Sequence, residues 1–291
     1  FGVLGEAGFD VDDAHFVGPE GATEIVTHSV GKYMSELALT PQSAMSDLYA
    51  ISFEEILDFL EQLGTRLHLG TNSYVQDALD LSLRTSGLSE GILRDCYANL
   101  HKLFAKEQWR QTVDRTIGID HVEGWVEHAI GNGGRAAIRA FGARSVHVIA
   151  GNVPQVAAIT IARNAVTRGD AIIKTPSNDP LTASAIARTM IDMAPDHPLT
   201  RHFSVAYWKG GSVEFEERLY QPRNIEKIIA WGGFASVRHV TRYIQPGLEL
   251  ISLDPKRSAT IIGRDTFADE ATMRDAALRA ATDIGASNQT G

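Results

Sequence analysis

A single cysteine, Cys96, stands in this chain of 291 residues. That excludes an internal disulfide framework and suits a reducing compartment, so a cytoplasmic location is expected. The chain also lacks any run of about 18 uninterrupted apolar residues, the length that spans a bilayer. Its most apolar region, 146-VHVIAGNVPQVAAITIARNAV, is broken by Asn152, Pro154, Gln155 and Arg163. Basic charge is in deficit, with 27 Lys and Arg against 36 Asp and Glu and a formal charge of −9. This balance argues against a nucleic-acid surface, which normally needs a basic patch. Ten scattered histidines form no HExxH-type pair and no His/Cys cluster of zinc spacing, so no metal is expected. No secretory signal, internal repeat or low-complexity segment is visible. Phe1 at one end and 283-DIGASNQTG-291 at the other both read as cuts.

What is present is ordinary for a soluble globular protein: 44% hydrophobic and 22% charged residues, in a chain long enough for two structural units. Residues 1–140 read as a mainly helical region. Ser52 and Glu55 form a capping box, followed by Ile56, Leu57, Leu60 and Leu63 at helical spacing. The run 89-SEGILRDCYANLHKLFAK predicts one amphipathic helix, with Cys96 on its apolar stripe as a core residue. The stretch 131-GNGGRAAIRAFGAR predicts a glycine-rich turn, because it lacks the spacing of a dinucleotide fingerprint.

Beyond residue 144, short strand-like runs alternate with helical ones: 145–150, 171–174, 203–208, 225–231, 248–253 and 259–263 read as strands. Such alternation predicts an α/β fold with a mostly parallel sheet and helices on both faces, occupying 141–285. Ligands of such sheets bind at the carboxyl ends of the strands. At the first of these ends, 149-IAGNVPQ, Gly151 lets the backbone turn and Pro154 suits the first turn of a helix. Asn152 is there either a helix N-cap or Asx turn, or an amide donor aimed at a developing oxyanion. At the second end Lys174 either reaches solvent or meets a ribose hydroxyl or a phosphate. Gly210-Gly211 and Gly232-Gly233 place glycine where strand meets helix, which allows close backbone approach by an anion. His147, inside a strand, reads as structural.

Taken in order, these elements resemble the aldehyde dehydrogenase superfamily, whose cofactor domain is a variant Rossmann fold. Asn152-Val153-Pro154 is similar to its Asn-Phe-Pro element, 174-KTPSNDPLT to its Lys-Pro-x-Glu-x-x-Pro-Leu-Thr element, and Trp231-Gly232-Gly233 loosely to its Thr-Gly-Ser turn. The ending 288-NQTG resembles the approach to the family's nucleophile, so 286–291 would begin a catalytic domain, with the cysteine immediately after Gly291. Within the superfamily the chain is most similar to LuxC-type acyl-CoA (fatty acyl) reductases, through 151-GNVP, 174-KTPSNDPL, 196-DHPLTRHFSVAYWKGG and 254-DPKRS.

The resemblance implies reduction of a fatty acyl thioester, carried on CoA or acyl-carrier protein, to an aldehyde. A cysteine thiolate would attack the acyl carbonyl and a nicotinamide would supply hydride. It makes Asn152 the oxyanion donor and Ala150, Gly151, Lys174, Ser177, Gly210, Gly211, Gly232 and Gly233 the cofactor-binding positions. It also implies a homo-oligomer and an acyl-transferring or acyl-activating partner enzyme. Two departures sharpen this. Ser252 stands where hydrolytic relatives carry a glutamate base, which disfavours hydrolysis, and Asp254 is two residues out of register to replace it. Ser177 replaces the glutamate that pairs with the adenosine ribose, favouring NADPH with NADH as the second candidate. A hydrolytic aldehyde dehydrogenase and a non-catalytic nucleotide-binding or scaffolding relative are the alternatives.

Overall fold

The computed structural model describes residues 11–18, 21–28, 41–253 and 259–285. Strands β1 (Val11–Gly18) and β2 (Gly21–His28) pair antiparallel. A 3-10 segment, Gln42–Tyr49, leads into helices α1 (Phe53–Arg66), α2 (Ser73–Thr85) and α3 (Glu90–Ala98). A second 3-10 segment, Leu100–Phe104, precedes α4 (Lys106–Thr116) and α5 (Ile119–Glu123), and then a hairpin of β3 (Val126–Ala129) and β4 (Arg135–Ile138). The remainder alternates: β5 (Arg144–Val148), α6 (Gln155–Val166), β6 (Asp170–Lys174), α7 (Thr182–Met193), α8 (Pro198–Arg201), β7 (Phe203–Ala206), α9 (Val213–Leu219), β8 (Lys227–Trp231), α10 (Phe234–Thr241), β9 (Glu249–Leu253) and α11 (Glu270–Gly285). No described helix is long and apolar enough to cross a membrane.

Strands β5 to β9 make one sheet in the order β7-β6-β5-β8-β9, with every neighbouring pair parallel. The chain therefore winds outward from β5 in one direction and then in the other, the doubly wound α/β arrangement expected from the alternation. Side chains alternate between the two faces. Val146, Val148, Ile172, Ile228 and Ala230 pack with Phe215 and Leu219 of α9 and Val240 of α10. Ile149 and Ile173 join Val156 and Ile161 of α6, Ile186 of α7, and Leu57, Leu60, Leu100 and Phe104 of the helical region. That second cluster runs continuously from the amino-terminal helices into those covering the sheet.

Local structure departs from the sequence reading at three places and bears it out at a fourth, the 131–134 turn. Ser52 caps α1 by accepting from the Glu55 N–H at 3.1 Å, but the Glu55 carboxylate lies 3.8 Å from His197 Nε2, so the capping box is one-sided. The 89–106 run breaks at Asn99 into α3 and a 3-10 segment, because Asn99 turns its amide onto the Asp95 carbonyl. The glycine-rich 131–134 turn closes the β3–β4 hairpin, with Asn132 in the left-handed region at φ 64°. Residues 259–263 form no strand.

One buried cation ties the helical region to the sheet. Arg168, in the turn from α6 to β6, is 2% exposed and has φ 53°. Its guanidinium donates to the carbonyls of Leu48 (2.9 Å), Val122 (2.7 Å) and Ile51 (3.0 Å) and meets Glu123 Oε1 at 3.2 Å. Glu123 also accepts from the Phe53 N–H at the start of α1. Gly142 passes so close that a Cβ there would lie 2.0 Å from the Arg168 carbonyl oxygen, so only glycine fits. Nearby, His202 bridges Asp47 of the first 3-10 segment (2.8 Å) and Asp170 of β6 (3.5 Å). Replacing Arg168 with Met keeps the aliphatic stem but leaves three buried carbonyls unpaired. It should lower unfolding free energy by about 3–5 kcal/mol, read as a lowered urea midpoint. An unchanged midpoint would show that the guanidinium is dispensable.

Candidate functional site

Strand register brings the candidate residues to one edge. Val148 is opposite Lys174 on one side and Ala230 on the other, Lys174 is opposite Ala206, and Ala230 is opposite Ser252. The five strands thus end at nearly one level, and the loops 149–154, 175–181, 207–212 and 232–233 all leave from it. The winding reverses between β5 and β8, which is where doubly wound sheets open a crevice.

The first two loops are locked together. Asn178 Nδ2 donates to the Gly151 carbonyl at 2.6 Å, and a Cβ on Gly151 would lie 1.9 Å from Asn178 Oδ1 and 2.8 Å from Pro176 Cγ. Glycine is required there by close approach of the neighbouring loop. The same loop is braced from the helical side, since Thr85 Oγ1 donates to the Asn178 carbonyl at 2.8 Å. Asp179 Oδ1 accepts from the Thr182 N–H (3.2 Å) and Oγ1 (2.6 Å) at the start of α7. Thr182 Oγ1 is 2.6 Å from Tyr97 Oη, which is 2.8 Å from Ser82 Oγ. Thr182 gives its proton to Asp179, so Tyr97 donates to Thr182 and Ser82 to Tyr97. Burial pushes the Asp179 carboxyl up from its ordinary value, against the two bonds from Thr182.

Asn152 does not cap α6. The cap position is Pro154, and no side chain caps this helix. The Asn152 Oδ1 is buried without a hydrogen-bond partner, as is Trp231 Nε1 at the end of β8. The capping alternative is therefore removed, and the half-buried Asn152 keeps an acceptor oxygen without an internal partner. Lys174 is half-buried, with Nζ 5.4 Å from the Trp208 ring centre and 5.9 Å from that of Tyr207. Burial pushes its ammonium below the ordinary lysine value, and the Glu216 carboxylate opposes that. Ser177 is exposed in the loop after β6. A Cβ on Gly210, Gly211 or Gly233 would meet nothing within 4 Å, and Gly211 takes φ 93°. Open backbone stands at the starts of α9 and α10, whereas Gly232 has Ser236 at 3.4 Å from such a Cβ. A cation beside an aromatic wall and open glycine turns where strand meets helix suit a dinucleotide.

The remaining candidates fall elsewhere. Cys96 is buried, its thiol pushed up by burial and bonded to Gln155, so it sits in the core. His147 is buried with Nε2 3.1 Å from Ser145 Oγ and Nδ1 without a partner, and burial pushes it down to about 4. It is neutral near pH 7. Ser252 lies within β9, while Asp254 and residues 286–291 fall outside the described residues. Among the described residues no group of three or more His, Cys, Asp or Glu could hold a metal ion. Sequence reasoning missed Asn178, Trp208 and Glu216. Glu216 is one of three glutamates in 214-EFEERL, and nothing in their spacing distinguishes the buried one.

Comparison with known proteins agrees with this geometry. A family model described as Acyl-CoA reductase (LuxC) matches residues 48–291. The long-chain acyl-protein thioester reductase 2 of Photobacterium leiognathi is 28% identical over 287 residues, covering 89% of this chain and 56% of that protein. The long-chain acyl-protein thioester reductase of Photorhabdus luminescens is 38% identical over 127 residues, 43% of this chain and 26% of that protein. The chain thus spans from about a quarter to just over half of these relatives. Among solved structures, lactaldehyde dehydrogenase from Escherichia coli has a TM-score of 0.64 at 13% identity, covering 84% of this chain and 48% of that one. A benzaldehyde dehydrogenase from Corynebacterium glutamicum has a TM-score of 0.61 at 13% identity, covering 84% of this chain and 51% of that one. The fold is that of the aldehyde dehydrogenases.

The Gly151–Asn178 contact makes a direct prediction. Gly151→Ala must displace Asn178 and its bond to the 151 carbonyl, costing about 1–3 kcal/mol as an overpacked contact. In a double-mutant cycle the cost should shrink in an Asn178→Ala background. Strict additivity in urea titrations would refute the locked-loop description.

Proposed function

This chain belongs to the acyl-CoA reductase (LuxC) family, and from that premise we propose that it is the nucleotide-binding portion of a reductase converting a fatty acyl thioester to an aldehyde. Family membership over residues 48–291 is the observation that carries this reading, and the convergence of Asn152, Lys174 and the glycine turns at one sheet edge supports it. The substrate is an acyl group on CoA or acyl-carrier protein, and the cofactor is NADPH in preference to NADH. A cytoplasmic homo-oligomer supplied by an acyl-transferring or acyl-activating partner completes the proposal.

A bound nicotinamide supplies hydride in this chemistry. The chain's own residues do the rest. Asn152 donates from its amide N–H to the thioester carbonyl oxygen as negative charge develops there. The glycine turns at 210–211 and 232–233 admit the pyrophosphate, the second of them against the N–H groups that open α10. Lys174 and the exposed Ser177 take the ribose side, where a hydroxyl tolerates a 2′-phosphate that a carboxylate would repel. Ser252 offers no base to activate water, which favours thioester exchange over hydrolysis. The attacking thiolate is the cysteine that the 288-NQTG resemblance puts next in register. The domains follow the same logic, with a mainly helical region over 1–140, the cofactor domain over 141–285 and the nucleophile loop from 286.

Two measurements test this. In a protein spanning the full length of the relatives, Asn152→Ala should lower kcat for aldehyde formation about 10²–10³-fold while NADPH affinity holds. Unchanged turnover would remove the oxyanion role, and absence of any aldehyde from the wild type would favour a non-catalytic relative. Titrating this chain, Ser177→Glu should weaken NADPH about tenfold or more relative to NADH by placing like charges together. An unaltered ratio of the two dissociation constants would count against the NADPH preference.

A further inference from the structure

Glu216 is the most deeply buried carboxylate-bearing residue beside the strand-end loops, at 1% exposure, and no role above uses it. Burying a carboxylate is costly unless its oxygens are filled with donors. Here they are. Oε1 accepts from Trp208 Nε1 at 3.2 Å, and Oε2 accepts from Tyr243 Oη at 2.9 Å and lies 2.5 Å from His239 Nε2. Because a carboxylate only accepts, His239 must carry its proton on Nε2.

The three donors come from three segments that converge at the site. Trp208 opens the loop after β7 that carries Gly210 and Gly211, and its ring lies under the Lys174 ammonium at 5.4 Å. His239 sits in α10, the helix that begins at the Gly232-Gly233 turn. Tyr243 lies two residues past α10 and packs tilted against Tyr220, which closes α9, with ring centres 4.9 Å apart. Glu216 itself belongs to α9, the helix after Gly210-Gly211. One carboxylate thus fixes the relative placement of both glycine turns and of the aromatic floor beneath Lys174, and its field also sustains the lysine's charge.

We propose that Glu216, through Trp208, His239 and Tyr243, is the positioning residue of the nucleotide site, holding the two glycine turns and Lys174 in the arrangement that a dinucleotide meets. The proposal rests on the nucleotide-binding reading given above. Charge and position make opposite predictions for this residue. A carboxylate near a polyanion acting only by charge would repel it, so its removal would tighten binding. A carboxylate acting by position preorganises the donors, so its removal loosens binding although a negative charge is lost.

The test is calorimetric titration of this chain with NADPH and with NADH. Glu216→Gln presents an amide N–H to at least one of three donors, and both dissociation constants should rise about tenfold while cooperative melting persists. His239→Ala should weaken both nucleotides, by about fivefold, whereas His239→Gln, whose amide still donates, should bind within about twofold of wild type. This rescue is a result that general loss of packing would not give. Unchanged or tighter binding by a folded Glu216→Gln overturns the positioning role and leaves the nucleotide-binding reading intact. If Glu216→Gln does not fold, unchanged affinity in both His239→Ala and Tyr243→Phe overturns it equally. A wild-type chain that binds neither nucleotide removes the function reading and this inference with it.

Discussion

The buried Arg168 guanidinium is the constraint from which the rest of the arrangement follows. A charge almost wholly removed from water persists only where its donors are satisfied, and here they are met by three main-chain carbonyls and a carboxylate. Those carbonyls belong to segments scattered over residues 48 to 122, so satisfying one side chain fixes where the helical region meets the sheet. Glu123 extends the constraint by accepting from the backbone at the start of α1. The joint lies next to the first residue of β6, at the amino ends of the strands. All four loops of the candidate site leave from the other ends.

This division of labour explains how loops can be both open and ordered. Helices α2 and α3, once docked, present Thr85 and Tyr97 to the 175–182 segment, where they bond the Asn178 carbonyl and Thr182. Asn178 then holds the 149–154 loop through the Gly151 carbonyl. Order is thus handed from the helical region to the second loop and from there to the first, by hydrogen bonds that consume internal donors. Two polar atoms at the strand ends stay without an internal partner, Asn152 Oδ1 and the Trp231 indole Nε1. Pre-organised polar atoms without internal partners are what a binding site needs, since they require no rearrangement when ligand arrives.

Much of this was legible in the sequence. The alternation after residue 144 gave the parallel sheet, because buried parallel strands must be near-continuously apolar and their crossovers helical. The strand-end positions Asn152, Lys174 and the glycine pairs were legible because their polarity or smallness interrupts an apolar pattern. Hairpins β3–β4 and β1–β2 were not, since short two-stranded ribbons carry weak periodicity and the first was hidden by a glycine-rich turn. Asn178 and Glu216 were illegible for a different reason. Their roles are set by contacts across 27 residues in one case and by burial in the other, and neither leaves a local mark in composition or spacing.

An acidic chain that binds a polyanion poses a physical question which the site geometry answers. The net charge of −9 acts at long range, where salt screens it beyond about 8–10 Å. Inside the crevice the field is set by nearer groups: the ammonium of Lys174, the helix starts at 213 and 234, and the carboxylate of Glu216. The Glu216 carboxylate is adverse by sign, and its oxygens are occupied by indole, imidazole and phenol donors. Those donors offset part of its negative charge, while its proximity opposes the effect of burial on the lysine's ammonium. A carboxylate left bare at that position would oppose both the lysine's purpose and the ligand's charge; filled with donors, it supports the first without imposing the second.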